Sequence, residues 1–139
     1  MITIRRFTTT DTESVEQLLR ELWGHDVAMF TTYNLHRDWE SQADLLRSTL
    51  VATHNHRTVG LGTIFESTLH PTMLMVVMYV ATAWQRQGVG TLLFNALQQV
   101  SDERPWLVKL TRRDEAGVQF FHQQGFHTIV STLIGVLEP

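Results

Sequence analysis

Two glycines one residue apart, Gly88 and Gly90, follow an apolar run and precede a helical pattern. The apolar run covers residues 73–80, and Val89, Leu92, Leu93, Ala96, Leu97 and Val100 supply the helical spacing. That order places unpaired backbone N–H groups at a helix start, where they and the helix dipole attract phosphate. Glycine has no Cβ, so a diphosphate can approach the backbone closely. The alternative is an ordinary strand-to-helix turn. A dinucleotide fingerprint is excluded, because its third glycine would stand where Leu93 does. A P-loop is excluded too, since no Gly-Lys-Ser/Thr follows. Among the seven histidines, His54 and His56 share a strand face by spacing, but no third metal ligand accompanies them and no metal is expected. The chain has no cysteine, which removes disulfides, thiolate zinc sites and a cysteine nucleophile together.

The elements that must position this turn are legible along the chain. Residues 2–7 read as a first strand. Thr10 and Glu13 make a capping-box pattern before Val15, Leu18, Leu19 and Leu22, with Gly24 as the stop. Asp38 opens a second helical spacing through Trp39, Ala43, Leu46 and Leu50. Residues 50–54 and 58–66 read as two strands joined at Asn55-His56-Arg57. In the second of these, Gly60 and Gly62 fall on one face and predict close approach of a neighbouring group. The run at 73–80 is apolar on both faces, as in a central strand. Residues 106–111 are the next strand and 114–124 the last helix, ended by Gly125; residues 126–137 are the closing strand. The order is α/β with a mixed sheet.

With 139 residues, 43% hydrophobic and 18% charged, the chain is expected to form one domain over 1–139. The net charge is −3 and no basic block occurs, so nucleic acid is not an expected partner. No run approaches the roughly 18 apolar residues of a membrane span. The apolar stretch at the N-terminus is too short for a signal peptide, and a cytoplasmic location is expected.

Gln85-x-x-Gly88-x-Gly90 resembles the Gln/Arg-x-x-Gly-x-Gly/Ala signature of the GNAT family of N-acetyltransferases. About 30 residues on, Asp114, Gly117, Phe120, Phe121, Gly125 and Phe126 match that family's last helix and its Gly-Phe ending, within the approximate spacing expected for such an element. The resemblance implies a GNAT-like, mainly antiparallel mixed sheet flanked by helices, and acetyl-CoA as cosubstrate. It implies that the pantetheine arm pairs with the backbone of Met78, Tyr79 and Val80. The diphosphate would meet Gln85, Arg86, Gln87, Gly88, Val89, Gly90 and Thr91, with Asp114 and Phe121 also at the ligand. Arg86 reads equally well as a solvated surface arginine. The N–H of Val80 would be the oxyanion donor.

The family often places Tyr where this chain has Phe121, and phenylalanine has no proton to give. His122 is a further turn of about 100° round the helix. Tyr33, in the irregular segment that would border the acceptor site, is the candidate substitute acid; it also reads as a partly buried aromatic of its loop. No carboxylate occurs between 73 and 81, which leaves Glu66 as the candidate base, followed by His25 and Asp26. Trp23, Met29, Phe30, Tyr33 and Trp39 would line the acceptor cleft or fill the core. The acceptor implied is a small-molecule or peptide amine, and the family suggests a homodimer. The rival readings are a non-catalytic acyl-CoA-binding or regulatory module and, more remotely, a nucleotide-binding module.

Overall fold

The structure is a computed structural model that describes residues 1–23, 47–66, 71–108 and 115–127. Two compact units divide the chain, Met1–Lys109 and Leu110–Pro139. The first holds a five-stranded sheet in chain order: β1 (Thr3–Arg6), β2 (Arg47–His54), β3 (Arg57–Glu66), β4 (Leu74–Val80) and β5 (Trp106–Val108). The first four strands pair antiparallel and β4 pairs parallel with β5. A parallel pair needs a crossover, and helix α2 (Val89–Val100) is part of it. The sheet is therefore mixed and mainly antiparallel, as the resemblance implied, with β4 in the interior between β3 and β5.

Alternation along the strands sends side chains to two helices. Val51 and Leu61 pack with Val15, Leu18 and Leu19 of α1 (Thr12–Trp23). Leu50, Ala52, Ile64, Leu74 and Val76 pack with Val89, Leu93 and Leu97 of α2. The small residues on β3 have their cause here. A Cβ on Gly60 would stand 3.0 Å from both Leu93 Cδ1 and Val89 Cγ1, and one on Gly62 would stand 3.0 Å from Leu97 Cδ1. These glycines let α2 lie close on the sheet.

Two local readings change. The helical spacing that ended at Leu50 does not continue that far, because Arg47–Leu50 belong to β2. Leu50 is buried through strand alternation, opposite Gly62, while Thr49 bonds the hydroxyl of Thr63 at 2.9 Å on the other face. Pairing with β3 overrides a pattern that four apolar positions could not decide. The remainder of that spacing, 38–46, lies outside the described residues, as does the closing strand beyond His127.

The N-terminal cap also shifts, from Thr10 and Glu13 to Thr8 and Asp11. Thr9–Asp11 form a 3-10 turn ahead of α1. The Asp11 carboxylate accepts the Thr8 N–H at 2.8 Å and two Arg5 N–H groups at 2.7 and 2.8 Å. Those Arg5 bonds first, and the Thr8 N–H next, hold the Asp11 carboxyl down at about 2 against burial. A carboxyl whose folded value lies below its unfolded value stabilises the fold above the unfolded value, near 3.9. That stability is lost as pH falls through about 2. Arg5 is 44% exposed, so the contribution is discounted for solvent to roughly 1–2 kcal/mol. Asp11→Asn should therefore lower neutral-pH stability by about that amount and flatten acid unfolding between pH 4 and 2, read from denaturant melts across that window.

The β2–β3 hairpin turns on Asn55 and His56, with φ of 49° and 65°. Positive φ at both central residues is the turn whose twist matches paired strands, and glycine suits its second position best. His56→Gly should raise stability by about 0.5–1 kcal/mol in chemical denaturation.

In the second unit, α3 (Glu115–Gln123) ends as its glycine predicted. Gly125 has φ 94°, its N–H reaches the His122 carbonyl at 3.1 Å, and the Phe126 N–H reaches the Phe121 carbonyl at 3.0 Å. The Phe121 and Phe126 rings meet edge to face at 5.1 Å, the apolar contact that accompanies this kind of stop.

Candidate active site

The site begins with how β4 spends its backbone. The Ala81 N–H donates to the Val59 carbonyl at 2.8 Å, one step past the Gly60–Val80 pair. Antiparallel pairs alternate between bonded and non-bonded, so Tyr79 and Val77 turn their N–H and C=O groups toward β3. Met78 and Val80 turn theirs the other way, toward the β5 side. The Leu74 N–H follows the same parity and donates to the Pro105 carbonyl at 2.9 Å. Described pairing with β5 covers Leu74, Met75 and Val76 only. Among the described residues, no strand pairs with the outward edge at Met78 and Val80, whose N–H groups lie about 7 Å apart. Of the three residues expected to pair with an extended ligand, Met78 and Val80 present backbone there. Tyr79 commits its backbone to Leu61 and packs its ring beside the α1 cluster.

β4 runs into a 3-10 turn, Thr82–Trp84, and then into the glycine turn. Trp84 braces the passage. It packs against the clusters on both sheet faces, and its ring lies 4.6 Å from that of His54. His56, the second member of the histidine pair, is exposed in the hairpin turn. Arg86 has φ 62° and Gly88 φ 85°, with Gln87 of negative φ between them. Alternation of hand along successive residues curls backbone N–H groups into an anion-binding concavity. Gly88 caps α2, and the first bond within the helix is Leu92 N–H to Gly88 C=O at 3.0 Å. The N–H groups of Val89, Gly90 and Thr91 thus precede that ladder at the positive end of the helix dipole. Among the described residues, no atom beyond the turn's own neighbours lies within 4 Å of a Cβ built on Gly88, so on their account the concavity opens outward. Arg86 is exposed beside it and α2 carries no acidic residue to oppose an anion.

Two glutamine side chains next to this turn fold back onto backbone carbonyls. Gln85 Nε2 donates to the Val80 carbonyl at 3.2 Å, and Gln87 Nε2 to the Ala83 carbonyl at 2.9 Å. The resemblance implied Gln85 and Gln87 as ligand contacts; their side-chain partners are backbone carbonyls, which no sequence pattern announces.

Glu66 sits elsewhere. It pairs with Leu74, at the other end of β4 from Val80, a run of about 20 Å. Its Oε1 accepts an Arg104 N–H at 2.6 Å, and the same guanidinium binds Asp102. Asp102 first and Glu66 second raise the Arg104 pKa, so the cation is permanent. The cluster ties the segment ahead of β5 to β3. Phe121 is buried in α3 between Phe120, at 5.2 Å, and Phe126. Tyr33, His25, Asp26, Met29, Phe30, Trp39 and Asp114 lie outside the described residues, as does the side chain of Trp23.

The comparisons with known proteins agree with this architecture. The family model described as an acetyltransferase (GNAT) domain matches residues 11–134. No curated protein matches the chain. Among solved structures, the PaiA N-acetyltransferase of Thermoplasma acidophilum, in complex with coenzyme A, superposes with a TM-score of 0.71 at 16% identity, covering 96% of this chain and 94% of its own. The ribosomal-protein-alanine N-acetyltransferase of Brucella melitensis biovar Abortus 2308 gives 0.70 at 17% identity, with 95% and 96% covered. The aminoglycoside N-acetyltransferase AAC(6')-Iy, bound to a CoA bisubstrate analogue, gives 0.69 at 19% identity, with 96% and 95% covered. At these identities the likeness speaks for the fold, and the family match speaks for descent. With the domain matched across residues 11–134, this chain belongs to the GNAT acetyltransferase family.

Proposed function

We propose that the protein transfers an acetyl group from acetyl-CoA directly to a primary amine of a small molecule or peptide. The observation that carries this reading is the outward backbone edge at Met78 and Val80 leading into the concavity of residues 86–91. An extended amide chain can add to such an edge as a further strand. Its diphosphate then meets the N–H groups of Arg86 to Thr91, with the Arg86 charge alongside. Micromolar affinity, about −8 kcal/mol, is expected for such a ligand.

In the reaction the amine nitrogen attacks the thioester carbonyl carbon. A C–N bond forms, the C–S bond breaks, and the electron pair of that bond leaves on sulfur. The nitrogen gives its proton to solvent or a base, and sulfur gains one from water. The N–H of Val80 is the proposed donor to the carbonyl oxygen as it gains charge, a role commonly worth about 10²–10³-fold in rate. Phe121 cannot protonate the departing sulfur. A thiol of pKa about 8.5 leaves as thiolate near neutrality at modest cost, so the reaction does not demand an acid there. Tyr33 remains the side chain proposed as acid, whereas Glu66, about 20 Å along the sheet from Val80 and bound by Arg104, is out of reach of the amine's proton. A cytoplasmic location and a homodimer belong to the same proposal.

A second reading, an acyl-CoA-binding or regulatory module, draws on the engagement of Glu66 by Arg104 and on the apolar Leu74–Val80 strand, which has no carboxylate. Calorimetry with acetyl-CoA, together with thiol release across a panel of amines and peptides, separates the two. Heat with thiol release supports transfer. Heat without release across the panel supports the module. Neither, at millimolar CoA, overturns both.

A further inference from the structure

The side chain of Gln85 occupies a position that a ligand amide would need. Val80 lies on the outward parity of β4, so its carbonyl points away from β3 (a direction fixed by the Ala81–Val59 bond). That carbonyl is an acceptor for any extended amide chain laid along the edge. Gln85 Nε2 already donates to it at 3.2 Å. The orientation of the Gln85 amide follows from chemistry, because a carbonyl oxygen only accepts and the NH₂ end must face it. Gln85 is half-buried, and its own N–H folds back to the Thr82 carbonyl at 3.4 Å. Its side chain therefore caps the strand edge five residues upstream.

We propose that Gln85 is an internal stand-in for the pantetheine amide. It caps Val80 in the free protein and yields that carbonyl when acyl-CoA binds. The proposal rests on the acyl-CoA reading of the site and adds an autoinhibitory contact to it. A strand edge with no strand paired to it, as at Met78 and Val80 among the described residues, is open to pairing with any extended chain. An intramolecular cap that only a correctly registered amide displaces guards half of that edge. Its cost is paid in affinity for the arm and not for the diphosphate, because the concavity at Arg86–Gly88 is made of backbone N–H groups that Gln85 Nε2 does not touch.

The test uses two ligands and two variants. The ligands are CoA and 3′-phospho-ADP, which is CoA without its pantetheine arm. The ratio of their Kd values reports what the arm contributes. Gln85→Met keeps length and volume but removes the donor; Gln85→Ala removes the side chain, and melting temperatures identify which variants stay folded. If Gln85 competes with the arm, Gln85→Met tightens CoA binding about fivefold and leaves 3′-phospho-ADP unchanged, the scale of one net hydrogen bond. A ratio of the 3′-phospho-ADP Kd to the CoA Kd that stays constant or falls in the folded variants overturns the stand-in role. Weakening of both ligands together would also overturn it, and would make Gln85 a brace of the loop. If the unaltered protein binds neither ligand, the acyl-CoA reading falls and this proposal falls with it.

Discussion

Gly88→Val is expected to raise the Kd for CoA by at least about a hundredfold, roughly 2.7 kcal/mol, while the domain stays folded. Gly88 has φ 85° and ψ 0°. A side chain in that left-handed region costs about 1–2 kcal/mol, and a β-branched one is a marked outlier. Among the described residues, no atom beyond the turn's own neighbours lies within 4 Å of the added Cβ, so they offer no clash and their packing is untouched. The branch instead fills the mouth of the concavity. If the loop relaxes to relieve φ, the N–H groups of Val89, Gly90 and Thr91 lose their common aim. Either route removes the diphosphate. Gly88→Ala, with less bulk and similar strain, should lose only about tenfold. Calorimetry with CoA on the folded variants measures both. Normal CoA binding by folded Gly88→Val would move the diphosphate away from this turn.

Gly60→Val should lower stability by about 3 kcal/mol and weaken CoA binding as well, although residue 60 is not in the glycine turn. The added Cβ would meet Leu93 Cδ1 and Val89 Cγ1 at 3.0 Å and the Tyr79 carbonyl oxygen at 3.3 Å. Leucine and valine termini can yield by a few tenths of an ångström, but a backbone carbonyl inside a sheet cannot, and the two γ-carbons add further crowding. α2 must then lift from β3 at its first turn. Val89 is the first residue of α2, so lifting it displaces the N–H groups that would hold phosphate. In thermal melts the change should lower Tm by roughly 10 °C. A variant with unaltered Tm would mean that α2 packs less closely on β3 than these distances require. Unaltered CoA affinity despite a lowered Tm would uncouple the helix seat from the phosphate turn.

Features that depend on short-range pattern are legible in consecutive residues. The continuous apolar run over 73–80 marked β4 as an interior strand; β4 lies between β3 and β5, with Leu74–Val77 buried and Met78–Val80 half-buried. Gly60 and Gly62, two apart, marked the face on which α2 sits. Asn55-His56 marked the hairpin, and Gly125 marked the end of α3. Each follows from a period of two or from a φ that side chains resist, and both are written in consecutive residues.

Tertiary structure alone decided the features whose partners are remote or whose signals compete. Glu66 meets Arg104 across 38 positions, and no local pattern connects them. Arg5 selects Asp11 as the capping carboxylate in a stretch where four threonines and Glu13 offered alternatives. Arg47–Leu50 became strand because β3 supplied bonding partners that helical spacing could not foresee. The parity of β4 is the most consequential case. Whether Met78 and Val80 or Tyr79 face the open edge depends on the register against β3. A slip of one residue would exchange them, and side-chain identity on a uniformly apolar strand does not encode which register wins.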